Sequence, residues 1–431
     1  MKKPIALLSA GLMVCSLSFI SVGAVSVQAA EQSSAESSKK RVRRSATMRP
    51  VIYKKLDGAR ELADAKKYQD ALKELQSLEK RRRNSYETAM THNMYAYVYF
   101  NQEKYKSAAA AYEQVLSVGN IPESLEQTTL YSLSKLYLIQ EDYKKALVPL
   151  NKWFGIVESA NAESFVLRAQ IYFQVEQYSK ALPDVKKAIA MTKETGKMPR
   201  ENWLMLERAV YYQNKDFKNL ARCLQDLATL YPKSQYWVQL AAVYSELNQP
   251  KKELATLETA FEQGMLTKES ELVNYAQALL GQDIPYKAAS ILTSGMEKGV
   301  IKESARSLSL LGDAWMLAKE YDQAIGVMTK AADLSHKGSD YFKLAQIHTE
   351  RQEWNLALSN VKLAIAQGDL TQPHSALILQ GLILFNLDEL TAAKGTFVKA
   401  RGYDAATKTA DQWIKYIEDE EQRRAYMAAS S

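Results

Sequence analysis

The sequence predicts an all-α protein, a solenoid of about ten helix–turn–helix repeats closed by a C-terminal capping helix. Three observations carry this. An aromatic residue followed three positions later by alanine marks six units, and with four weaker copies the markers are spaced 33 to 39 residues apart. Small and large side chains recur at fixed offsets from that marker. Glycine (17) and proline (10) are scarce in 431 residues, which disfavours a turn-dense β protein and favours long helices.

The elements follow in chain order. Residues 1–30 read as a secretory signal peptide: Lys2 and Lys3 lead an apolar run, Ile5 to Ile20, and Val27-Gln28-Ala29-Ala30 offers small residues for cleavage. The run is short for a spanning helix, which argues against a retained anchor. Cys15 lies inside it behind the bulky Val14, a poor context for lipid attachment. The mature chain then keeps only Cys223, so an internal disulfide is excluded, and its neighbours favour a buried, inert thiol. No later stretch is apolar enough to predict a transmembrane segment in the mature chain.

Residues 31–50 are rich in Ser, Lys and Arg and read as a disordered basic leader. Lys39, Lys40, Arg41, Arg43 and Arg44 make it either a solvated tether or a contact for anionic lipid or an acidic partner. The formal charge of +7 is concentrated here: Lys2 and Lys3 carry two and residues 31–50 carry four, leaving +1 for residues 51–431. A body so nearly neutral does not predict a nucleic-acid partner.

Residues 51–403 hold ten units. Their markers are Tyr68, Tyr105, Tyr143, Tyr178, Phe217, Pro250, Pro285, Tyr321, Trp354 and Leu390. Each marker is placed at the start of a second helix. Nine residues before it a small residue recurs, as at Ala59, Ala96, Ser134, Ala169, Gly312 and Gly381. Six before it a large residue recurs, as at Tyr99, Tyr137, Tyr172, Tyr211 and Trp315. Ten after it come Ala188, Ala260, Ala331, Ala364 and Ala400. Small and large side chains in step let antiparallel helices interlock. Arg208 departs from the small position, Glu253 replaces a marker-phased alanine, and Pro149 and Pro183 predict kinks or later starts in their second helices. Residues 404–431 predict a capping helix and tail, with Trp413, Ile414 and Ile417 facing the last repeat.

The runs Leu311-Gly312-Asp313-Ala314-Trp315 with Tyr321-Asp322-Gln323-Ala324, Trp237 to Tyr244, and Tyr231-Pro232 resemble the tetratricopeptide repeat family. A period near 34 is that family's signature. The resemblance implies a right-handed superhelix whose first helices line a concave wall, and a role in holding other proteins. It is specific for fold and unspecific for function. On that wall it places Tyr53, Asn93, Tyr97, Phe100, Tyr131, Lys135, Phe173 and Tyr212, the candidate partner-binding groove, together with Met90 and Met205. These aromatics either grip an extended peptide or helix, or pack between adjacent repeats. Asn93 and Lys135 alone are reminiscent of the family's grip on a peptide carboxylate. Later units put Gln235, Ser245, Gln277, Ser309, Asp313, Ser339, Gln346 and Thr349 at the same offsets, interrupted by Phe342, Ile378 and Phe385.

No catalytic residue, cofactor site or metal site is expected. His92, His336, His348 and His374 are not paired at ligand spacing. There is no nucleophile elbow, phosphate-cradling loop or dinucleotide fingerprint. His348 stands where other units have the large filler and reads as a hydrogen-bonded core side chain. As a whole the chain resembles secreted tetratricopeptide proteins encoded with TonB–ExbB–ExbD systems of gamma-proteobacteria. The VRRSATMRP leader and the EDEEQRRAYMAAS ending carry that likeness. It implies a non-enzymatic periplasmic scaffold in energy-coupled iron uptake, with envelope proteins as partners. Envelope assembly, in wall synthesis or outer-membrane biogenesis, is the alternative scaffold role, and a glycan-binding solenoid is another.

Overall fold

A computed structural model describes residues 47–429. The signal-peptide reading and most of the leader lie outside them. Among the described residues there are 21 α-helices and no strand. The first five hairpins are α1 (Pro50–Asp64) with α2 (Tyr68–Glu79), α3 (Ser85–Asn101) with α4 (Tyr105–Ser117), α5 (Glu123–Ile139) with α6 (Tyr143–Ile156), α7 (Ala162–Gln174) with α8 (Tyr178–Glu194), and α9 (Glu201–Gln213) with α10 (Phe217–Leu230). The next five are α11 (Ser234–Glu246) with α12 (Pro250–Glu262), α13 (Glu269–Leu280) with α14 (Pro285–Glu297), α15 (Ala305–Leu317) with α16 (Tyr321–Ser335), α17 (Gly338–Glu350) with α18 (Trp354–Gln367), and α19 (Pro373–Asn386) with α20 (Leu390–Arg401). A last helix, α21 (Thr407–Ala429), follows. Odd-numbered helices α1–α19 are here the A helices and even-numbered ones the B helices. Each helix packs chiefly on the one before and the one after it.

All ten markers are the first residue of a B helix. The turn before each is the same. Two residues ahead of the marker the backbone is left-handed, with φ between 54° and 66°, at Lys66, Glu103, Glu141, Glu176, Lys215, Asn248, Asp283, Lys319, Gln352 and Asp388. The next residue donates its N–H back to the carbonyl five positions earlier, from Lys67 to Leu62 through to Glu389 to Leu384, at 2.8–3.0 Å. This paired-bond helix stop satisfies carbonyls that the A helix would otherwise leave open. Glycine is absent at every one of these positions, although the left-handed region strains residues with a Cβ.

The helix crossing explains the offsets. The residue nine before the marker is buried in every unit, and it faces the residue seven after it. Where the first is alanine, the second is Leu75, Tyr112, Val185, Leu257, Leu292 or Val361. Where it is glycine, the partner is Met328 or Phe397 and fills the space of the missing methyl. A Cβ added to Gly312 would lie 2.4 Å from Met328 Cε, and one on Gly381 would lie 2.6–2.8 Å from ring carbons of Phe397. The lost methyl is exchanged for bulk from across the crossing, which keeps the interior close-packed. In the fifth unit Arg208 takes the small position, is 5% exposed, and donates to Gln239 Oε1 of the next A helix. Pro149 and Pro183 do not delay their helices: α6 and α8 start at the marker and run through them.

The two ends differ from the expected boundaries in one respect. Thr47–Pro50, the described end of the basic leader, is held. Arg49 donates to Glu87 through its backbone N–H (2.9 Å), Nε (2.8 Å) and Nη2 (2.7 Å), and Asn84 Nδ2 donates to the Thr47 carbonyl. Glu87 is fully buried and also forms the capping box of α3 with Asn84. These bonds, with the cost of burying a carboxylate unpaired, fix the start of the array. At the other end Ile414 and Ile417 are buried and Trp413 stacks on Phe397 at 5.6 Å. The polar remainder of α21 is largely exposed, as a terminal cap requires.

Candidate functional site

The A helices carry the expected wall, and most of its aromatics are already engaged. Phe100 lies edge-on to the marker Tyr105 at 5.8 Å, and Phe173 does the same to Tyr178 at 5.3 Å. The Tyr97 hydroxyl donates to Asp64 of the previous A helix. Tyr131 packs 5.0 Å from Trp153, which continues through Phe154 to Phe165. Arg168 lies 3.6 Å over Phe154 and forms a two-bond pair with the buried Asp184, at 2.6 and 2.7 Å. The contacts of these residues join helices, mostly the A and B helices of one unit.

Three other wall residues stay available. Tyr53, on the first turn of α1, is 61% exposed, and Tyr212, at the end of α9, is 36% exposed. They stand four units apart. Lys135 is half-buried with its Nζ 4.5 Å over the Tyr131 ring. Burial pulls its ammonium below the ordinary lysine value and pushes the Tyr131 hydroxyl up to about 12. No carboxylate of the described residues is at ion-pair distance from Lys135, so its charge is matched only by the ring. Asn93 is half-buried in the same wall. The structure therefore joins Tyr131 with Lys135 and leaves Tyr53 and Tyr212 separate.

Units eight and nine carry a polar, self-satisfied network. Lys343 Nζ reaches Asp313 at 2.8 Å and donates to Ser309 at 2.9 Å. Ser309 and Ser335 both donate to Asp340, at 2.9 and 2.6 Å. Burial raises the Asp313 carboxyl above its ordinary value against the pull of Lys343.

The open part of the wall is at the C-terminal end. A recess of about 360 Å³ lies between α17, α19 and the start of α21. Phe342, Ile378, Leu379 and Leu382 give it apolar lining, and Gln346, His374, Ser375 and Thr409 give it polar groups. A second recess of about 390 Å³ adjoins the turn 368–373, lined by Ile365, Leu370, Leu377 and Tyr403 among others. His374 lines the first and Tyr403 the second, with their rings 6.0 Å apart. The sequence did carry a signal for the first recess. Phe342 and Ile378 share one offset from their markers, and Gln346 and Leu382 share another. The contribution of α21 could not be read from repeat phase, because α21 belongs to no repeat.

The chemistry of the remaining polar groups is structural. Cys223 is buried with Sγ 3.4 Å from the Leu204 carbonyl, and burial pushes its thiol well up, which disfavours a nucleophilic thiolate. His348 is buried with Nδ1 2.6 Å from Glu353 Oε2. Among the described residues no group of three His, Cys, Asp or Glu is placed to hold a metal ion. No helix among them is long and apolar enough to cross a membrane.

Comparison with known proteins adds the following. The tetratricopeptide repeat family model matches residues 56–124, from α1 to the first turn of α5. No curated protein matches the chain. Among solved structures it is similar to YrrB, described as a tetratricopeptide protein with an unusual peptide-binding site, at 15% identity and a TM-score of 0.35 over 43% of this chain and 90% of that one. It is similar to a tetratricopeptide repeat protein from Parabacteroides merdae at 15% identity and a TM-score of 0.33, over 60% and 98%. It is similar to PilW, a type IV pilus biogenesis factor, at 15% identity and a TM-score of 0.38, over 48% and 97%. Scores this low carry no weight for its role. The family model, together with ten hairpins turned alike, supports reading the array as tetratricopeptide repeats.

Proposed function

We propose that this chain is a periplasmic scaffold that holds segments of partner proteins along its A-helix wall and serves a TonB-dependent energy-transduction and iron-uptake system. One observation carries the protein-binding part: the open recess between α17, α19 and α21. Its apolar lining accepts one or two large side chains of a docked peptide or helix, and its polar groups can bond the peptide amides. The wall elsewhere offers shallow contacts, at Tyr53, Lys135 and Tyr212, over which a longer segment can run. The periplasmic address rests on residues 1–30, and the TonB–ExbB–ExbD association rests on the whole-chain resemblance.

A photo-crosslinking side chain placed at Ile378 or Leu382, in living cells, tests this, with Lys330 on the opposite face as control. Capture of a periplasmic part of the TonB complex from the wall positions alone is the expected result. Capture of wall-synthesis or outer-membrane assembly proteins would move the role to envelope assembly. Quenching of groove fluorescence by soluble oligosaccharide, with no effect of peptide, would favour a glycan carrier. Capture from Lys330 but from neither wall position would end the groove reading.

A further inference from the structure

The outer face of the B helices carries a charge pattern that the groove does not use. In each unit, positions 1, 2, 5, 8, 9 and 12 after the marker are exposed or half-buried. In α6 and α8 these positions hold Lys144, Lys145, Lys152, Lys180, Lys186 and Lys187, all exposed, and no carboxylate. On α10 Lys218 and Arg222 continue the face, and its one acid, Asp226, lies 3.5 Å from Lys193 of α8. On the five later units, lysines at the same positions are balanced almost one for one by Glu258, Glu262, Glu297, Asp322 and Asp333. In a body with a formal charge of +1 this is segregation, not a general excess.

The junctions between units show how the excess stays unpaired. Between the sixth and seventh units, Glu258 (position 8) meets Lys287 (position 2) at 2.5 Å. The same junction between the third and fourth units pairs Asn151 with Lys180, and between the fourth and fifth it pairs Lys186 with Asn219. The acid is missing in both. Lys145 has Asp142 at 2.9 Å, whereas no described carboxylate lies at ion-pair distance from Lys144, Lys152, Lys180, Lys186 or Lys187.

We propose that the outer face of α6, α8 and α10 docks this chain on an anionic phospholipid surface. Lysine supplies most of the charge, and ammonium groups on flexible stems suit mobile headgroups rather than fixed two-point recognition. Val148, 58% exposed, sits among the lysines as an apolar contact for the headgroup boundary. The same positions hold Ser179, Pro183, Ala190 and Gly155 and no aromatic ring, so the face lacks the stacking platform that single-stranded nucleic acid needs. Docked this way, the chain turns its A-helix wall away from the lipid.

Co-sedimentation of the full chain with phosphatidylglycerol–phosphatidylcholine vesicles and with phosphatidylcholine vesicles tests this. Binding to the anionic vesicles that weakens with added salt is expected. The variant K144Q/K152Q/K186Q/K187Q should lose about six-hundredfold, from about fivefold per lysine, with an unchanged circular-dichroism melt. K251Q/K330Q/K362Q/K399Q removes the same charge elsewhere and should lose far less. Equal loss in the two variants, full binding by the first variant, or loss only on neutralising Lys39, Lys40 and Arg41 would overturn the assignment.

Discussion

The N-terminal and C-terminal stretches of the A-helix wall put large residues to opposite uses. In units two to four, large residues at the wall positions close on neighbours: Phe100 on Tyr105, Tyr131 on Trp153, Phe173 on Tyr178. In units nine and ten, Phe342, Ile378 and Leu382 stand around an open recess, with α21 behind them. Residue type therefore does not decide between core and site. What decides is whether an adjacent helix presents something to cover it.

That contrast can be broken at several points. The largest effect is expected for Phe397→Ala, whose ring fills the space over Gly381 and stacks on Trp413. A loss of about 3–5 kcal/mol is expected. Because repeat arrays are stabilised by nearest neighbours, hydrogen exchange should rise in α19–α21 and leave α1–α6 protected. Uniform exchange would show that the two ends are not separable.

Gly312→Leu should overpack the crossing against Met328 and cost about 1–3 kcal/mol by thermal melt. A melt like the wild type would mean that the crossing is looser than its 2.4 Å approach implies.

The start of the array should be acid-sensitive. Arg49 holds the Glu87 carboxyl down to about 2, from an ordinary 4.5. A depressed carboxylate contributes stability above its unfolded value, and that contribution is lost as pH falls from about 4.5 towards 2. Urea melts at pH 5 and pH 3 should therefore differ more for the wild type than for Glu87→Gln. An equal pH response would remove the clamp from the account.

Tyr131→Ala and Ile378→Ser compare the walls directly. The first should cost about 1–2 kcal/mol, because it removes a half-buried ring packed on Trp153. The second should cost less than about 1 kcal/mol and abolish crosslinked capture at the recess. Equal stability losses would place both residues in the core.

The smallest effect concerns what the two ends share. Lys319→Gly, in the turn before α16, should raise stability by up to about 1 kcal/mol, by relieving a left-handed residue that has a Cβ. A loss instead would show that the lysine side chain, not the backbone, holds that turn.

The fold was largely legible because its cause is periodic. A marker, a small residue and a large one repeat in step, and all ten markers fall at helix starts, including Pro250, Pro285 and Leu390, which are not aromatic. The candidate site was less legible. Tyr53 is exposed as a groove residue should be, yet Tyr97, Phe100 and Phe173, at other offsets of the same wall, are spent on contacts. Exposure depends on the partner across the gap, which register alone does not give. The recess also depends on Ala405, Ala406 and Thr409, which lie beyond the last repeat. Arg49 falls within the predicted leader because its partner, Glu87, is 38 positions away and carries no marker-phased signal.

Ten identical stops between A and B helices have a consequence for how such a chain can change. Each hairpin turns from its A helix to its B helix on the same backbone geometry, set by main-chain bonds and not by one particular side chain. A recombination event that adds or removes one whole unit, with breakpoints at equivalent places in any two hairpins, leaves every crossing in phase. Length is thus a heritable variable that can drift while the ends, fixed by Arg49 and by α21, stay constant.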